Sequence, residues 1–310
     1  MLNHLNQILQ RIMPFIAPAS VIIGVLFADF FIQFDNWVIW IFAFMTFAGS
    51  LSLNFVALYR VVAHPLSILI ALVILHILMP LWAFLIGALT FSNDHLTVIG
   101  FVLAMIIPTG ITSFIWVSMN KGNVALTLSI ILIDTILSPF IVPLSLSLFI
   151  GASVDLEVWA MMKGLFIMIV IPSILGMILH ETTRGGIHEK WSPRLAPFSK
   201  IALALVIMIN SSEVADYLLD VDFHLIKVAI TMFFVAASGY YLAWLLSKWL
   251  KRASQDVISL TFSSGMRNIS AGAVIAVQYF SGPVAVPVVV GMLFQQVLAS
   301  LYSKFLQRRK

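Results

Sequence analysis

Three ionisable residues stand inside apolar segments, and their types limit the chemistry that the chain can perform there. Arg267 lies in "SSGMRNIS", Asp134 in "LIDTILSP" and His76 in "LVILHILMP". A guanidinium stays charged and carries five donors, so Arg267 can bind free carbonyls, pair with Asp134 or clamp an anion. Histidine titrates near neutral pH, so His76 can either carry a proton or form a fixed hydrogen bond. The sequence leaves each of these alternatives open.

Uncharged polar side chains gather where Gly and Pro interrupt the apolar pattern. The first interruption is "PTGITSF" and the second is "SSGMRNIS". Hydroxyl and amide groups at such positions either donate to a bound carboxylate or form hydrogen bonds between helices. The candidates at the two interruptions are Thr109, Thr112, Ser113, Ser264, Asn268 and Ser270.

The composition predicts an integral membrane protein. The chain has 310 residues, of which 61% are hydrophobic and 10% charged, too few charges to cover a water-soluble surface of this size. The lipid bilayer is therefore the expected surroundings, and nucleic acid is not an expected partner. There is no cysteine for a disulfide or a thiolate site. No H-E-x-x-H or G-x-S-x-G pattern occurs either, which argues against an enzyme.

The apolar segments predict an all-α membrane protein with ten transmembrane helices. Each segment approaches the ~20 residues that cross a bilayer. The predicted spans are 14–32, 36–55, 66–88, 97–119, 124–149, 158–180, 197–218, 225–248, 256–280 and 284–306.

The distribution of positive charge predicts the orientation. With ten spans, fourteen of the 17 Lys and Arg residues fall on the side of the N-terminus, including Lys200, and two, Lys163 and Lys227, fall on the other. Positive charge accumulates on the cytoplasmic side of a membrane. We therefore expect a multi-pass cell-membrane protein with both termini in the cytoplasm.

The longest polar connection, "HETTRGGIHEKWSPRLAPFSK" from His180 to Lys200, lies near the middle of the chain, and the ten predicted spans can be divided into five plus five. Gly110 and Gly265 lie 155 residues apart, half the chain length, and each belongs to an interrupted span. Because five is odd, the second copy is inverted relative to the first. The prediction is a five-helix repeat over 1–150 and a second, inverted one over 151–310, with spans 4 and 9 broken and crossing. Inverted repeats with interrupted helices are typical of secondary transporters.

The chain resembles the bile acid:sodium symporter family along nearly its whole length. The motifs that carry the resemblance are "PTGITS" with "GNVALTLSIILIDTILSPFIVPL", and "SSGMRN" with "PVAVPVVVGMLFQQ". The resemblance implies panel and core domains, and alternating-access uptake of an organic anion, either bile-acid-like or a small carboxylate such as pantoate, driven by two sodium ions. It also places Gln295 and Gln296 at the solute cavity. The predicted solute-binding residues are thus Thr109, Thr112, Ser113, Arg267, Asn268, Gln295 and Gln296.

The sodium positions that the resemblance implies are largely substituted. Phe114 replaces an Asn amide, Ile131 a hydroxyl, Ser263 a Glu, Arg267 a Gln and His76 another Gln. A hard cation prefers oxygen ligands with negative charge nearby, so exchanging Glu for Ser and adding Arg disfavours sodium. The full set of ion-site positions is His76, Ser113, Phe114, Thr127, Ile131, Ser263, Ser264, Met266 and Arg267.

Two mechanisms remain open at this point. One is sodium symport, as the family resemblance implies, with sodium bound by a partial set of ligands. Sodium is the one cofactor considered, and the sequence identifies no confident metal site. The alternative is a proton-coupled or uncoupled facilitator of the same solutes, and a passive channel is its nearest rival. A metalloid permease is disfavoured because the chain has no thiol. A monomer is compatible with the sequence.

Overall fold

A computed structural model describes residues 6, 8–9, 12–53, 55, 65–150 and 157–308. Within these ranges the chain is helical, and its one β-type pairing is an isolated bridge between Thr109 and Arg267. The α-helices are α1 Met13–Leu26, α2 Ala28–Phe31, α3 Val38–Ser50, α4 Pro65–Val73, α5 Met79–Thr90, α6 His95–Ile106, α7 Ser113–Met119, α8 Val124–Ile150, α9 Val158–Leu165, α10 Ile171–Thr182, α11 Gly186–Ser212, α12 Ala215–Leu219, α13 Phe223–Trp249, α14 Ser254–Gly265, α15 Ile269–Tyr279 and α16 Gly282–Arg308.

Three short segments of other helical types join some of these helices. The segment Ile32–Trp37 is a 3-10 helix between α2 and α3. The segments Ile74–Leu78 and Phe166–Val170 are π-helical and continue α4 into α5 and α9 into α10. A π-helical turn widens the helix and redirects backbone carbonyls, and such turns are frequent at functional sites.

Seven helical stretches are long and apolar enough to cross a membrane, which confirms an all-helical membrane protein over the described residues. They are Ala28–Ser50, Pro65–Thr90, Val124–Phe149, Val158–Thr182, Gly186–Ser212, Phe223–Trp249 and Gly282–Arg308. The other three predicted spans coincide with shorter apolar helices, Phe15–Leu26, His95–Ile106 and Ile269–Tyr279. Two of these three belong to the spans predicted to be broken.

The polar stretch from His180 to Lys200 is mostly helical, so its interpretation as a long connection is wrong. The helix α10 continues to Thr182, and α11 begins at Gly186 rather than near residue 197. Gly185 makes the turn between them with φ +84°, a conformation that glycine adopts without strain. Pro193 and Pro197 lie inside α11. Proline removes one N–H from a helix but its φ is compatible with helical geometry, so the helix passes through both.

The helices pack as two groups. One group contains α1, α3, α10 and α11, in which α11 packs against α1 and α3, and α10 packs against α3. The other contains α4 to α8 and α13 to α16, in which α14 packs against α13, and α16 packs against α6, α13 and α15. Both interrupted segments belong to the second group.

Some predictions fall outside the described residues. The boundary between the two predicted repeats adjoins residues 151–156, which the structure does not describe. The same holds for several of the charges that support the orientation: Arg11, Arg60, Arg309 and Lys310.

Candidate functional site

The two interrupted segments meet as a short antiparallel pair. The helix α6 ends before Pro108, because a residue that precedes proline is pushed out of the α region, and Ile107 is extended with ψ 149°. The N–H of Gly110 donates to the Met266 carbonyl at 2.9 Å, and the N–H of Asn268 donates to the Pro108 carbonyl at 2.8 Å. The backbone groups that each interruption exposes are therefore satisfied by the other interruption, as lipid surroundings demand.

Glycine is required at position 110 by this close approach. A Cβ atom on Gly110 would lie 2.9 Å from the backbone oxygen of Arg267, closer than real contacts allow. The neighbouring Thr109 is 1% exposed, and its hydroxyl donates to the carbonyls of Ser263 and, at 3.0 Å, of Met266. One side chain thus joins the first interruption to the end of α14.

The carboxylate of Asp134 holds the first interruption from the other side. One oxygen accepts the backbone N–H of Thr109 at 2.6 Å, and the other lies 2.6 Å from Nε2 of His76. Asp134 is completely buried, and His76 is 6% exposed. The structure brings His76 and Asp134, two residues 58 positions apart, into direct contact. A buried carboxylate held by two partners positions both of them.

No direct ion pair joins Asp134 and Arg267 among the described residues, where the ion pairs are His76 with Asp134 and His224 with Asp94. The sequence left this pairing open as one of three alternatives for Arg267. The carboxylate of Asp134 instead binds His76 and the N–H of Thr109.

The guanidinium of Arg267 points into the second helix group. Its Nη1 makes a long hydrogen bond of 3.5 Å to the carbonyl of Leu75, in the π-helical turn. That carbonyl is available because Met79 donates to Ile74, five residues back, and Pro80, the next residue, has no N–H. Arg267 is 1% exposed, and within the described part of the chain its Nε and Nη2 have no partner.

Other predicted ion-site positions surround this guanidinium with few ligands. The hydroxyls of Ser113, Ser263 and Ser264 are buried and have no partner among the described residues. The Thr127 hydroxyl donates to the carbonyl of Asn123 at 3.2 Å, and Ile131 is buried but has no side-chain oxygen. Within the described ranges, no group of three or more His, Cys, Asp or Glu is placed to hold a metal ion.

A cavity of about 280 Å³ lies beside the paired interruptions, between the two helix groups. Five of the predicted solute-binding residues line it, and two, Thr109 and Ser113, do not. The five are Thr112, Arg267, Asn268, Gln295 and Gln296. Phe114, predicted at an ion position, also lines this cavity. The structure thus separates the predicted residues into cavity-lining and enclosed sets.

Two of the lining residues have side chains with defined partners, and a third has a buried oxygen without one in the described part of the chain. The Asn268 side-chain oxygen caps α15 by accepting the N–H of Ala271 at 3.4 Å, which leaves its amide nitrogen to donate elsewhere. The Gln296 side-chain oxygen accepts from the Trp116 indole at 3.2 Å. The side-chain oxygen of Gln295 is buried without a partner among the described residues. Neutral donors and acceptors therefore dominate this wall.

Sequence reasoning missed the wall on the opposite side. The first helix group contributes mainly apolar side chains, together with Lys200 on α11. The sequence placed Lys200 where the polar connection meets the predicted span 197–218, and counted it only among the positive charges on the side of the N-terminus. The other residues of this wall are Ala17, Phe42, Met45, Thr46, Gly49, Ser199, Leu203 and Ile207.

Comparison with known proteins gives a consistent answer. The Bacillus subtilis protein YbaS is 54% identical over 296 residues, which cover 96% of this chain and 97% of YbaS. The Bacillus subtilis sodium-dependent transporter YocS is 24% identical over 98% of this chain and 95% of its own length. The rice chloroplastic probable sodium/metabolite cotransporter BASS1 is 27% identical over 72% of this chain and 54% of its own length.

The match to a family profile agrees with these similarities. The profile of the Sodium Bile acid symporter family matches residues 38–221, more than half of the chain, and these residues include the first interruption and α11. The protein is therefore a transporter rather than an enzyme, and it belongs to the sodium bile acid symporter family.

Proposed function

We propose that this protein is a secondary transporter of a small organic anion. The observation that carries the proposal is the cavity beside the paired interruptions, lined by amide and hydroxyl groups on one wall and by a lysine on the other. Interrupted helices that meet inside a membrane protein are typical solute sites in such transporters. Alternating access would arise from one helix group rocking against the other around the cavity.

The predicted topology is part of this proposal. Ten crossings, arranged as two inverted repeats over 1–150 and 151–310, place both termini in the cytoplasm. The pairing of the two interruptions, one from each half of the chain, supports the repeat. The separation of the helices into two packed groups supports the panel and core domains.

The size of the cavity favours a small carboxylate over a sterol acid. Sites for drug-sized ligands usually enclose about 300–1,000 Å³. A volume of about 280 Å³ lies at the lower limit of that range. We therefore expect a short acid such as pantoate to be taken up in preference to a bile acid.

The names of the relatives mention sodium, but we infer that transport by this chain is not coupled to it. YocS and BASS1 are named as sodium-dependent proteins. Here Arg267 is buried and occupies a position where the family resemblance implies a sodium ligand, and Ser263 supplies no negative charge. Two cations about 4 Å apart repel by about 4 kcal/mol at an effective dielectric constant of about 20. We infer that Arg267 takes the place of a sodium ion.

Uptake into proteoliposomes tests the proposal. A panel containing pantoate, pyruvate and taurocholate would be offered with a sodium gradient, a proton gradient or neither. We expect saturable uptake of the small acids and no stimulation by sodium. No uptake of any carboxylate would contradict the proposed function, and a strict sodium requirement would contradict the role given to Arg267.

A motif-restoring variant tests the sodium argument separately. The double change Ser263→Glu with Arg267→Gln restores the family residues at both positions. We expect sodium to raise the melting temperature of the double variant by several degrees, about 1 kcal/mol of binding free energy, and to leave the unmodified protein unchanged. A double variant that is equally indifferent to sodium would contradict the ligand assignment.

Proton-coupled uptake is the second candidate, and the contact between His76 and Asp134 favours it. Their side chains approach to 2.6 Å in a buried place, and Asp134 also holds the Thr109 N–H at the interruption. A change in protonation of this pair therefore acts directly on the solute site. The charged groups around His76 are Asp134 on α8 and Arg267, whose Nη1 lies at the carbonyl of the adjacent Leu75.

The variant His76→Gln tests proton coupling. Glutamine keeps a donor but does not titrate, so we expect loss of the stimulation by a proton gradient while solute exchange between the two sides continues. The matched control is His95→Gln, at an exposed position at the start of α6. Equal stimulation in His76→Gln and in the unmodified protein would contradict proton coupling through this pair.

A further inference from the structure

Arg267 lines the cavity, but its side chain is 1% exposed and its Nη1 is directed to the carbonyl of Leu75. Little of its guanidinium is therefore open to a solute in this conformation. Other polar groups of its wall, on Thr112, Asn268 and Gln296, are uncharged. A positive charge on the opposite wall is therefore the more accessible one for an organic anion in the cavity.

Lys200 supplies a positive charge on that opposite wall. It lines the cavity from α11, and its ammonium group lies 2.7 Å from the side-chain oxygen and 3.2 Å from the carbonyl oxygen of Asn6. Both partners are neutral oxygens. Among the described residues no carboxylate pairs with Lys200, so the charge of Lys200 is solvated but not neutralised by them.

The surroundings of Lys200 strengthen its effect on an anion. Most lining residues of its wall, such as Phe42, Met45, Leu203 and Ile207, are apolar, and the other polar side chains of that wall, on Thr46 and Ser199, are uncharged. An ammonium group beside apolar surface attracts a carboxylate more strongly than one in bulk water. A lysine with three donors can also bind a carboxylate while keeping one bond to Asn6.

We propose that Lys200 selects negatively charged solutes, by pairing with the carboxylate while the uncharged donors of the interruptions bind the rest of the molecule. This inference rests on the proposed function of the cavity and names the residue that sets its specificity. A solute held in this way contacts both helix groups. Its affinity then depends on the conformation that brings Lys200 and the interruptions to one cavity, as alternating access requires.

Uptake kinetics with pantoate and with its neutral methyl ester test the proposal. We expect Lys200→Gln to raise the KM for pantoate about tenfold and to leave kcat within about twofold, since the lost interaction contributes to solute binding. Lys200→Arg is expected to stay within about threefold of the unmodified protein. The discrimination between the acid and the ester should disappear in Lys200→Gln.

The matched control is Lys190→Gln, the same substitution on the same helix. Lys190 is exposed and does not line the cavity, so its variant should transport like the unmodified protein. If Lys190→Gln raised the KM as much as Lys200→Gln, the effect would reflect general surface charge, and the proposal would be overturned.

Binding separates failure of this inference from failure of the proposed function. Stabilisation of the detergent-solubilised protein by pantoate, followed by thermal melting, requires no transport. Pantoate binding that needs Lys200, without uptake, would support the inference and contradict the transport function. Uptake that is unchanged in Lys200→Gln would overturn the inference alone. Neither binding nor uptake of pantoate or of its ester by the unmodified protein would overturn both.

Discussion

The two interruptions contain similar residues but differ in how their polar atoms are satisfied. At the first, the Thr109 N–H is held by Asp134 and the Thr109 hydroxyl by two carbonyls, while the Ser113 hydroxyl has no partner in the described part of the chain. At the second, the hydroxyls of Ser263 and Ser264 and two nitrogens of Arg267 have no partner there. Buried polar groups are normally paired, so each of these exceptions needs an explanation. We therefore expect the first interruption to contribute more to stability than the second.

The largest effect is expected from Asp134→Asn. Loss of the carboxylate removes the charge that faces His76 and leaves the buried positive charge of Arg267 without a nearby anion. Breaking a buried charge pair costs about 3–5 kcal/mol, so we expect the melting temperature to fall by about 10 °C. Asp216→Asn, an exposed acid on α12, is the control. A variant as stable as the control would remove the distinction between the two interruptions.

The next largest effect is expected from Gly110→Ala. The new Cβ would press against the Arg267 backbone at 2.9 Å and separate the paired segments. Overpacking of this kind costs about 1–3 kcal/mol, measured as a lower melting temperature, and should also abolish most uptake. Gly186→Ala is the matched control because a Cβ there meets nothing within 4 Å. Normal uptake by Gly110→Ala would show that the segments are not closely paired in the working protein.

A smaller effect is expected from Thr109→Val, which keeps the shape of the side chain and removes its hydroxyl. The loss of the bonds to Ser263 and Met266 should lower stability by about 1 kcal/mol. Thr109→Ser, which retains the hydroxyl, should recover most of that loss. Thermal melting monitored by tryptophan fluorescence measures both, and equal stability of the valine and serine variants would contradict the role of the hydroxyl.

The smallest effect on stability is expected from Ser264→Ala. The Ser264 hydroxyl is buried without a partner in the described structure, so its removal should leave stability within about 0.5 kcal/mol or raise it. Transport rate is the informative measurement here. If Ser264→Ala destabilised the protein as much as Thr109→Val, the second interruption would be as fully bonded as the first.

The sequence predicted the positions of the two interruptions, but it did not predict the contacts that stabilise them. Gly110 with Pro108, and the polar run that contains Arg267, marked both interruptions because such residues disturb apolar periodicity. The sequence did not predict whether His76 and Asp134 are in contact, because residues 58 positions apart give no local signal of proximity. Pairing of Arg267 with Asp134 was one of the alternatives that the sequence left open, and among the described residues no direct ion pair joins them. Lys200 was not predicted at the cavity because the sequence marked it only as one of the positive charges near the end of a span.

The missing hydrogen of Pro80 has a consequence for the evolution of this site. An alanine at position 80 would supply an N–H five residues after Leu75, which could donate to the Leu75 carbonyl and extend the π-helical turn by one bond. That bond would compete with Arg267 for the same oxygen and leave all three guanidinium nitrogens short of acceptors in the described interior. A complete set of backbone hydrogen bonds and a partner for the buried cation therefore oppose each other at this position. A chain that carries Arg267 has reason to keep the proline.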